Sequence, residues 1–324
     1  MKNIILLILF TFCLCGCTGK EKEKDSQPID DIFNGFETYL KIIDTKSKLS
    51  EQNFKGNVKY ISESNYEATY KFGEIEKSKL ICKYYSEFDK FGNKKLGREK
   101  SFGEEIKYLN NYDVNNNIIE TNFYKSDTIL AIKIKYKYDL KGNEIEKCTY
   151  GRGDSIVEKK IFKYNLNNYI IEENLYNSKN KLSSKIKYKY DIRGNKIEES
   201  QYNSDGSLFM KITIKYDTMN RNIETNWNEC HGENITPKFK NQKSTFKYDE
   251  KGNKIERKDY KDGVYSGETI YKYDGRGNII EGNSGIQSIE SYKYEYDKNG
   301  NWIKKITLYN DEPKEIKERQ IKYY

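Results

Sequence analysis

A chain of 324 residues with 58 Lys and Arg against 50 Asp and Glu has a formal charge of +8, and the two signs are interleaved along its whole length. That interleaving excludes the contiguous basic block with which a protein grips nucleic acid and leaves a solvated, Lys-rich face. A single His, with no Gly-rich phosphate loop and no ligand-spaced Cys and His cluster, gives no footing for the common nucleotide, metal or cofactor sites, and none is expected.

Residues 1–16 read as a secretory signal: Met1-Lys2-Asn3 and then the apolar run from Ile4 to Leu14, too short to span a bilayer. It ends in Leu14-Cys15-Gly16-Cys17, which resembles the lipobox of bacterial lipoproteins. The resemblance implies cleavage before Cys17, its acylation, and a stable anchor in the cell envelope, with the outer membrane expected and either of its faces allowed. Residues 17–27 carry mixed charge with nothing to bury and read as a tether. Ile29, Ile32, Phe33, Phe36, Leu40 and Ile43 have helical spacing behind Pro28, so the pattern predicts one amphipathic helix over residues 28–44.

From residue 53 to 324 a repeat takes over. An aromatic residue precedes Asp or Asn at Asp89, Asp113, Asp139, Asn165, Asp191, Asp217, Asp249, Asp274 and Asp297, and the step from 113 to 217 is 26 residues four times running. Around Asp191, residues Ile186 to Tyr190 alternate apolar and charged, the mark of a strand with one buried face. Asp191 can cap the turn and Gly194 supplies a positive φ, after which a second strand leaves through Ile197. Side-chain parity then predicts an even-numbered loop with Tyr190 opposite Asn195, Tyr188 opposite Ile197 and Lys187 opposite Glu198. The same rule sets Tyr136 opposite Ile145 and Lys135 opposite Glu146.

Each second strand runs to a Tyr and then turns, as in Asn203-Ser204-Asp205-Gly206-Ser207, before alternation restarts at Leu208. The expected architecture is all-β: an antiparallel meander of about nine hairpins, curled into a spiral or barrel-like sheet with Tyr and Ile inside. A membrane barrel is disfavoured, because the alternate face is Lys and Glu in nearly every unit. The interval from Asp217 to Asp249 holds an insertion with Cys230 and His231. Cys82, Cys148 and Cys230 fall at different phases of the repeat; one disulfide is allowed, and small buried residues are the expected reading.

Tyr138-Asp139-Leu140-Lys141-Gly142-Asn143, and the corresponding residues at Tyr190, Tyr248, Tyr273 and Tyr296, resemble the YD repeats of the RHS family. Phe88-Asp89, Tyr112-Asp113, Tyr164-Asn165 and Tyr216-Asp217 are altered copies, and the resemblance covers about residues 80–324. The family implies a spiralling β-sheet and, in several members, carbohydrate binding or cell-surface contact. In large members it implies a shell around a toxin, for which this chain has too few repeats.

Enzyme activity finds no support, since the recurrent Asp and Glu suit turn capping and cross-strand pairing. The tripeptide Arg152-Gly153-Asp154 falls on a hairpin tip whose turn needs such residues in any case. The candidate ligand residues are Tyr124, Tyr150, Tyr176, Tyr202 and Tyr260, which recur in phase. If they point away from the Ile face they form a row on which sugars could stack; if not, they rivet the shell. The expected function is glycan or envelope binding by a lipid-anchored protein, with a protein-interaction module, such as an immunity or partner protein, as the alternative.

Overall fold

The computed structural model describes residues 54–101, 103–125, 127–229, 241–285 and 288–324. The expected signal, Cys17, the tether, the 28–44 helix, Cys230 and His231 lie outside these residues. The first strands are β1 (Val58–Lys71), β2 (Glu74–Phe88), β3 (Lys94–Ser101), β4 (Glu104–Tyr112), β5 (Ile118–Lys125), β6 (Ile129–Tyr138) and β7 (Glu144–Tyr150). Then come β8 (Ile156–Tyr164), β9 (Ile170–Asn177), β10 (Leu182–Tyr190), β11 (Lys196–Asn203), β12 (Leu208–Tyr216) and β13 (Asn222–Glu229). The array ends with β14 (Asn241–Tyr248), β15 (Lys254–Lys261), β16 (Val264–Tyr273), β17 (Ile279–Asn283), β18 (Ile289–Tyr296), β19 (Trp302–Tyr309) and β20 (Glu312–Tyr323).

Every strand pairs antiparallel with the next, and β20 pairs with β1, so the meander closes into a 20-stranded barrel. Closure leaves no free edge for another chain to extend. Twenty strands are far more than the eight at which wall side chains meet and fill the interior.

Each repeat turn is built in the same way. Asp191 accepts the N–H of Arg193 and of Asn195 on Oδ1, at 2.9 and 2.8 Å, and the Asn195 side-chain amide on Oδ2 at 2.9 Å. The Asp191 N–H donates to the Asn195 carbonyl at 2.9 Å, closing a five-residue loop. Gly194 takes φ 82° at its fourth position; in the altered copies Asn116, Asn168 and Asn220 take φ 60° there, which Asn tolerates better than other side chains. Those substitutes add a contact, since the amides of Asn93, Asn143 and Asn195 donate to their Oδ1 from the preceding unit.

The five-residue loop corrects the predicted register. Tyr190 pairs with Lys196, and a bulge at Ile197 then sets Lys189 opposite Glu198 and Tyr188 opposite Glu199. In the same way Lys137, not Lys135, lies opposite Glu146, and Tyr136 lies opposite Lys147. One loop residue and one bulge residue together preserve parity, so the assignment of faces survives while the partner of Tyr190 moves by one and every partner beyond the bulge by two. The bulge has a further use: Tyr164 donates its hydroxyl to the Glu144 carbonyl at 2.7 Å and Tyr190 to that of Ile170 at 2.8 Å. The aromatic residue of one unit therefore satisfies the backbone beside the bulge of the unit before it.

Ile106, Phe123, Ile132 and Ile134 share the inner face and are 3–5% exposed. The outer face carries Lys137, Lys163, Lys189, Lys215 and Lys247, with side chains 60–69% exposed, each in an ion pair with Glu across the hairpin. A charged outer face of this kind does not suit lipid tails.

The turn carboxylates give the barrel an acid limit. The Asn143 side chain holds Asp139, and the Asn195 side chain Asp191, below the usual carboxylate range of 3.8. At Asp274 burial opposes ionisation, yet the Tyr296 hydroxyl and the Asn278 and Arg276 N–H groups outweigh it and hold the carboxyl at about 2. A carboxyl depressed on folding stabilises above its unfolded value, and that contribution is lost as pH falls through the folded one. Thermal melts should therefore vary little with these groups above pH 4, and the melting temperature should drop steeply between about pH 4 and 2. Asp191→Asn should flatten part of that drop.

Candidate functional site

Bulge geometry decides which way the candidate tyrosines face. Tyr202 lies directly opposite Lys185, with no bulge between Glu198 and Tyr202 on that side, so it shares the outer face with the exposed Lys189. The same pairing sets Tyr124 opposite Lys107, Tyr150 opposite Lys133, Tyr176 opposite Lys159 and Tyr260 opposite Lys243. All five candidates are thus brought to the outer wall, on β5, β7, β9, β11 and β15. Asn228 occupies the matching place on β13, opposite Lys211. Successive units step two strands across and two residues along, so neighbouring rings are anchored about 12 Å apart at the backbone.

Each ring is half-buried and has an ammonium group over it. The Nζ of Lys107 sits 4.9 Å from the Tyr124 centroid, Lys135 5.8 Å from Tyr150, Lys159 5.3 Å from Tyr176, Lys187 5.6 Å from Tyr202 and Lys243 4.5 Å from Tyr260. These are cation–π distances and they rivet the rings to the neighbouring strand. Lys107 also pairs with Asp127 at 3.4 Å. Lys135, Lys159, Lys187 and Lys243 make no ion pair among the described residues, in contrast to the neutralised Lys–Glu row nearer the turns. The outer wall is therefore banded: a charge-paired row, a row of small or polar residues such as Cys148, Asn174 and Ser200, and a row of Tyr with Lys of which Lys107 and Lys133 are ion-paired.

Sequence reading missed the start of this row. Tyr85 on β2 faces Arg98, and Arg98 faces Lys107, continuing the row past Tyr124 to a shallow depression whose lining includes Lys83, Tyr85, Arg98, Lys100 and Glu105, the last paired with Arg98 at 3.2 Å. The sign was an aromatic three places before Phe88, outside the regular spacing.

The inner wall is charged as well, and its charges are mostly matched. Lys160 pairs with Glu173 at 3.0 Å and Arg319 with Glu63 at 2.6 Å, and the Arg319 guanidinium lies 3.3 Å from the centroid of the Trp302 ring. Burial pushes the Lys147 and Lys305 ammonium groups down and the Glu99 carboxyl up. No group of three or more His, Cys, Asp and Glu poised to hold a metal ion occurs among the described residues. Cys82 and Cys148 are free and buried, on opposite faces of the sheet. Arg152-Gly153-Asp154 does form an exposed turn, in which Asp154 is paired with Lys133 at 2.8 Å.

Neither a family model nor a curated protein matches the sequence. Among solved structures, the chain is similar to the TcdB2-TccC3 crystal structure at 12% identity and a TM-score of 0.44, covering 74% of this chain and 15% of that one. The TcdB2-TccC3-Cdc42 complex gives 13% and 0.43, over 79% and 15% of the two chains. A porin-like protein from Bacteroides uniformis gives 9% and 0.36, covering 83% of this chain and 98% of that one. The chain thus spans about 15% of the length of the TcdB2-TccC3 chains it matches.

Proposed function

We propose that this chain is a non-enzymatic, lipid-anchored protein of the YD-repeat type in the bacterial cell envelope, and that the outer wall of its barrel binds carbohydrate. The observation that carries the reading is the outward row of Tyr124, Tyr150, Tyr176, Tyr202 and Tyr260, each beside a Lys. Rings at regular intervals offer stacking platforms to successive sugars, and the ammonium groups lie within reach of hydroxyls and carboxylates. Because Lys135, Lys159, Lys187 and Lys243 make no ion pair among the described residues, acidic glycans are favoured over neutral ones. The anchor rests on the Leu14-Cys15-Gly16-Cys17 sequence, and the setting on the same tetrad.

The test is a glycan array probed with the full chain in detergent micelles. Tyr150→Ala combined with Tyr202→Ala should weaken binding about tenfold or more, each tenfold being about 1.4 kcal/mol. Melting curves of the variant establish that the barrel is intact. Absence of any sugar signal, together with recovery of one specific protein from envelope extracts, would replace this reading with the protein-interaction module.

A further inference from the structure

Six of the nine repeat turns carry an exposed apolar side chain at the tip, where a polar one would suffice. Val114, Leu140, Leu166 and Ile192 each follow the Asp or Asn of their turn, and they are 97%, 108%, 92% and 103% exposed. Phe91 and Met219 flank them, one place further on in their own turns, at 69% and 66%. Nothing in the turn demands an apolar side chain there: the hydrogen bonds are made by the Asp side chain, the backbone and the fifth residue. Glu250, Gly275 and Lys298 hold the same place in the three later turns, so the apolar run is confined to the first six. Six consecutive tips thus form an apolar arc, interspersed with Lys90, Lys141 and Arg193 and with no acidic residue at the tip positions. The Asp carboxylates lie at the base of each turn and are occupied by N–H donors.

The chain also enters the barrel on this rim. The Lys55 N–H donates to the Asn301 side chain at 2.8 Å, and the Asn301 amide returns a bond to the Lys55 carbonyl at 2.8 Å. Asn301 is the last residue of a repeat turn, so Lys55, three residues before β1, is held at the turn side of the barrel.

We infer that this arc is a bilayer-docking surface: the aliphatic tips of Val114, Leu140, Leu166 and Ile192 insert at the boundary between headgroups and acyl chains. Lys90, Lys141 and Arg193 then lie at the level of anionic phosphates. The inference rests on the envelope setting proposed above but needs neither acylation nor sugar binding. Isolated exposed aliphatics are ordinary, whereas a phased row of them at one edge marks a contact surface. A bilayer fits better than a folded partner, because side chains anchored about 12 Å apart on separate turns make points of insertion and no continuous apolar patch.

The experiment uses the chain from residue 17 onward carrying Cys17→Ala, so that neither an acyl group nor the apolar run from Ile4 to Leu14 contributes. It is floated with vesicles of neutral and anionic phospholipid, and compared with the same chain carrying Val114→Ser, Leu140→Ser, Leu166→Ser and Ile192→Ser. All four are exposed turn positions whose loss should leave the melting temperature unchanged. Vesicle partitioning should fall about tenfold or more in the serine variant, each buried aliphatic contributing strongly to insertion. Leu140→Trp should show a blue-shifted emission with vesicles and quenching by brominated lipid, and Phe72→Trp on the opposite rim should show neither. Equal flotation of the two chains, or equal quenching at both rims, would overturn the inference. So would capture of one envelope protein by the parent chain and not by the serine variant, which would assign the arc to a protein. An unacylated Cys17 in chain extracted from its native membrane would instead refute the anchor and leave this result standing.

Discussion

Phe88→Ala is expected to destabilise the barrel by about 3–5 kcal/mol, the usual range for removing a fully buried ring. Phe88 is 1% exposed and packs with Val58 and Ile61 on the inner side, with Phe54, Ile321 and Tyr323 around them. These residues come from the beginning and the end of the array, and they meet where β20 pairs with β1. The Tyr324 hydroxyl adds a bond to the Phe88 carbonyl at 2.6 Å. All other ladders join strands adjacent in sequence and carry a small loop-closure cost; the β20–β1 ladder must bring together residues as far apart as Val58 and Tyr323. The apolar cluster at that seam offsets the cost. Urea titration of the variant should show a lower midpoint, and amide exchange should accelerate first in β1 and β20. Phe246→Ala removes a ring 7% exposed in the middle of the array and should lower the midpoint without singling out those two strands. Uniform exchange in Phe88→Ala would show that the seam does not depend on this cluster.

Much of this architecture was legible because it is local. The recurrence of Tyr-Asp, the αL residue four places into each turn and the alternation of Lys with Tyr identify hairpins and sort side chains between faces. Register was not legible, because it depends on whether the loop holds four or five residues. That choice is made by Asp191 Oδ1 accepting two N–H groups at once, and by the bulge at Ile197. Closure was not legible either: β1 and β20 lie outside the regular period, and nothing in Tyr60 or Ile321 announces the other. For the site, the five tyrosines could be named but not oriented, since their direction turns on the position of that bulge. The aliphatic tips occupy variable positions of the turn, where no period or bonding requirement singles them out.

Gly97→Ala should be strongly disruptive although it adds a single heavy atom. A Cβ at Gly97 would lie 2.0 Å from Tyr108 Cζ and 2.3 Å from its hydroxyl oxygen, inside any permissible contact. Gly97 and Tyr108 are directly opposite on β3 and β4, and the ring lies across the glycine, an arrangement that shields the backbone with aromatic surface. The ring cannot simply swing away. It is 7% exposed, packs 5.7 Å from Phe123 and accepts a bond from the Lys94 ammonium at 3.2 Å, and Lys94 is itself 1% exposed. Displacing it strains the packing and weakens a partner of a buried charge, so a loss of about 1–3 kcal/mol or more is expected. Gly282 supplies the control, because it too lies opposite a tyrosine, Tyr271, but its added Cβ would sit 3.9 Å from that ring. Gly282→Ala should be neutral or gain up to about 1 kcal/mol from the stiffer unfolded chain. Denaturant midpoints of the two variants should therefore move in opposite directions or differ by several-fold in size. Tyr108→Leu should recover part of the loss in the Gly97→Ala background, since it removes the atoms that collide. Equal midpoints for Gly97→Ala and Gly282→Ala would mean that the inner wall around Tyr108 is loose enough to give way, contrary to its burial.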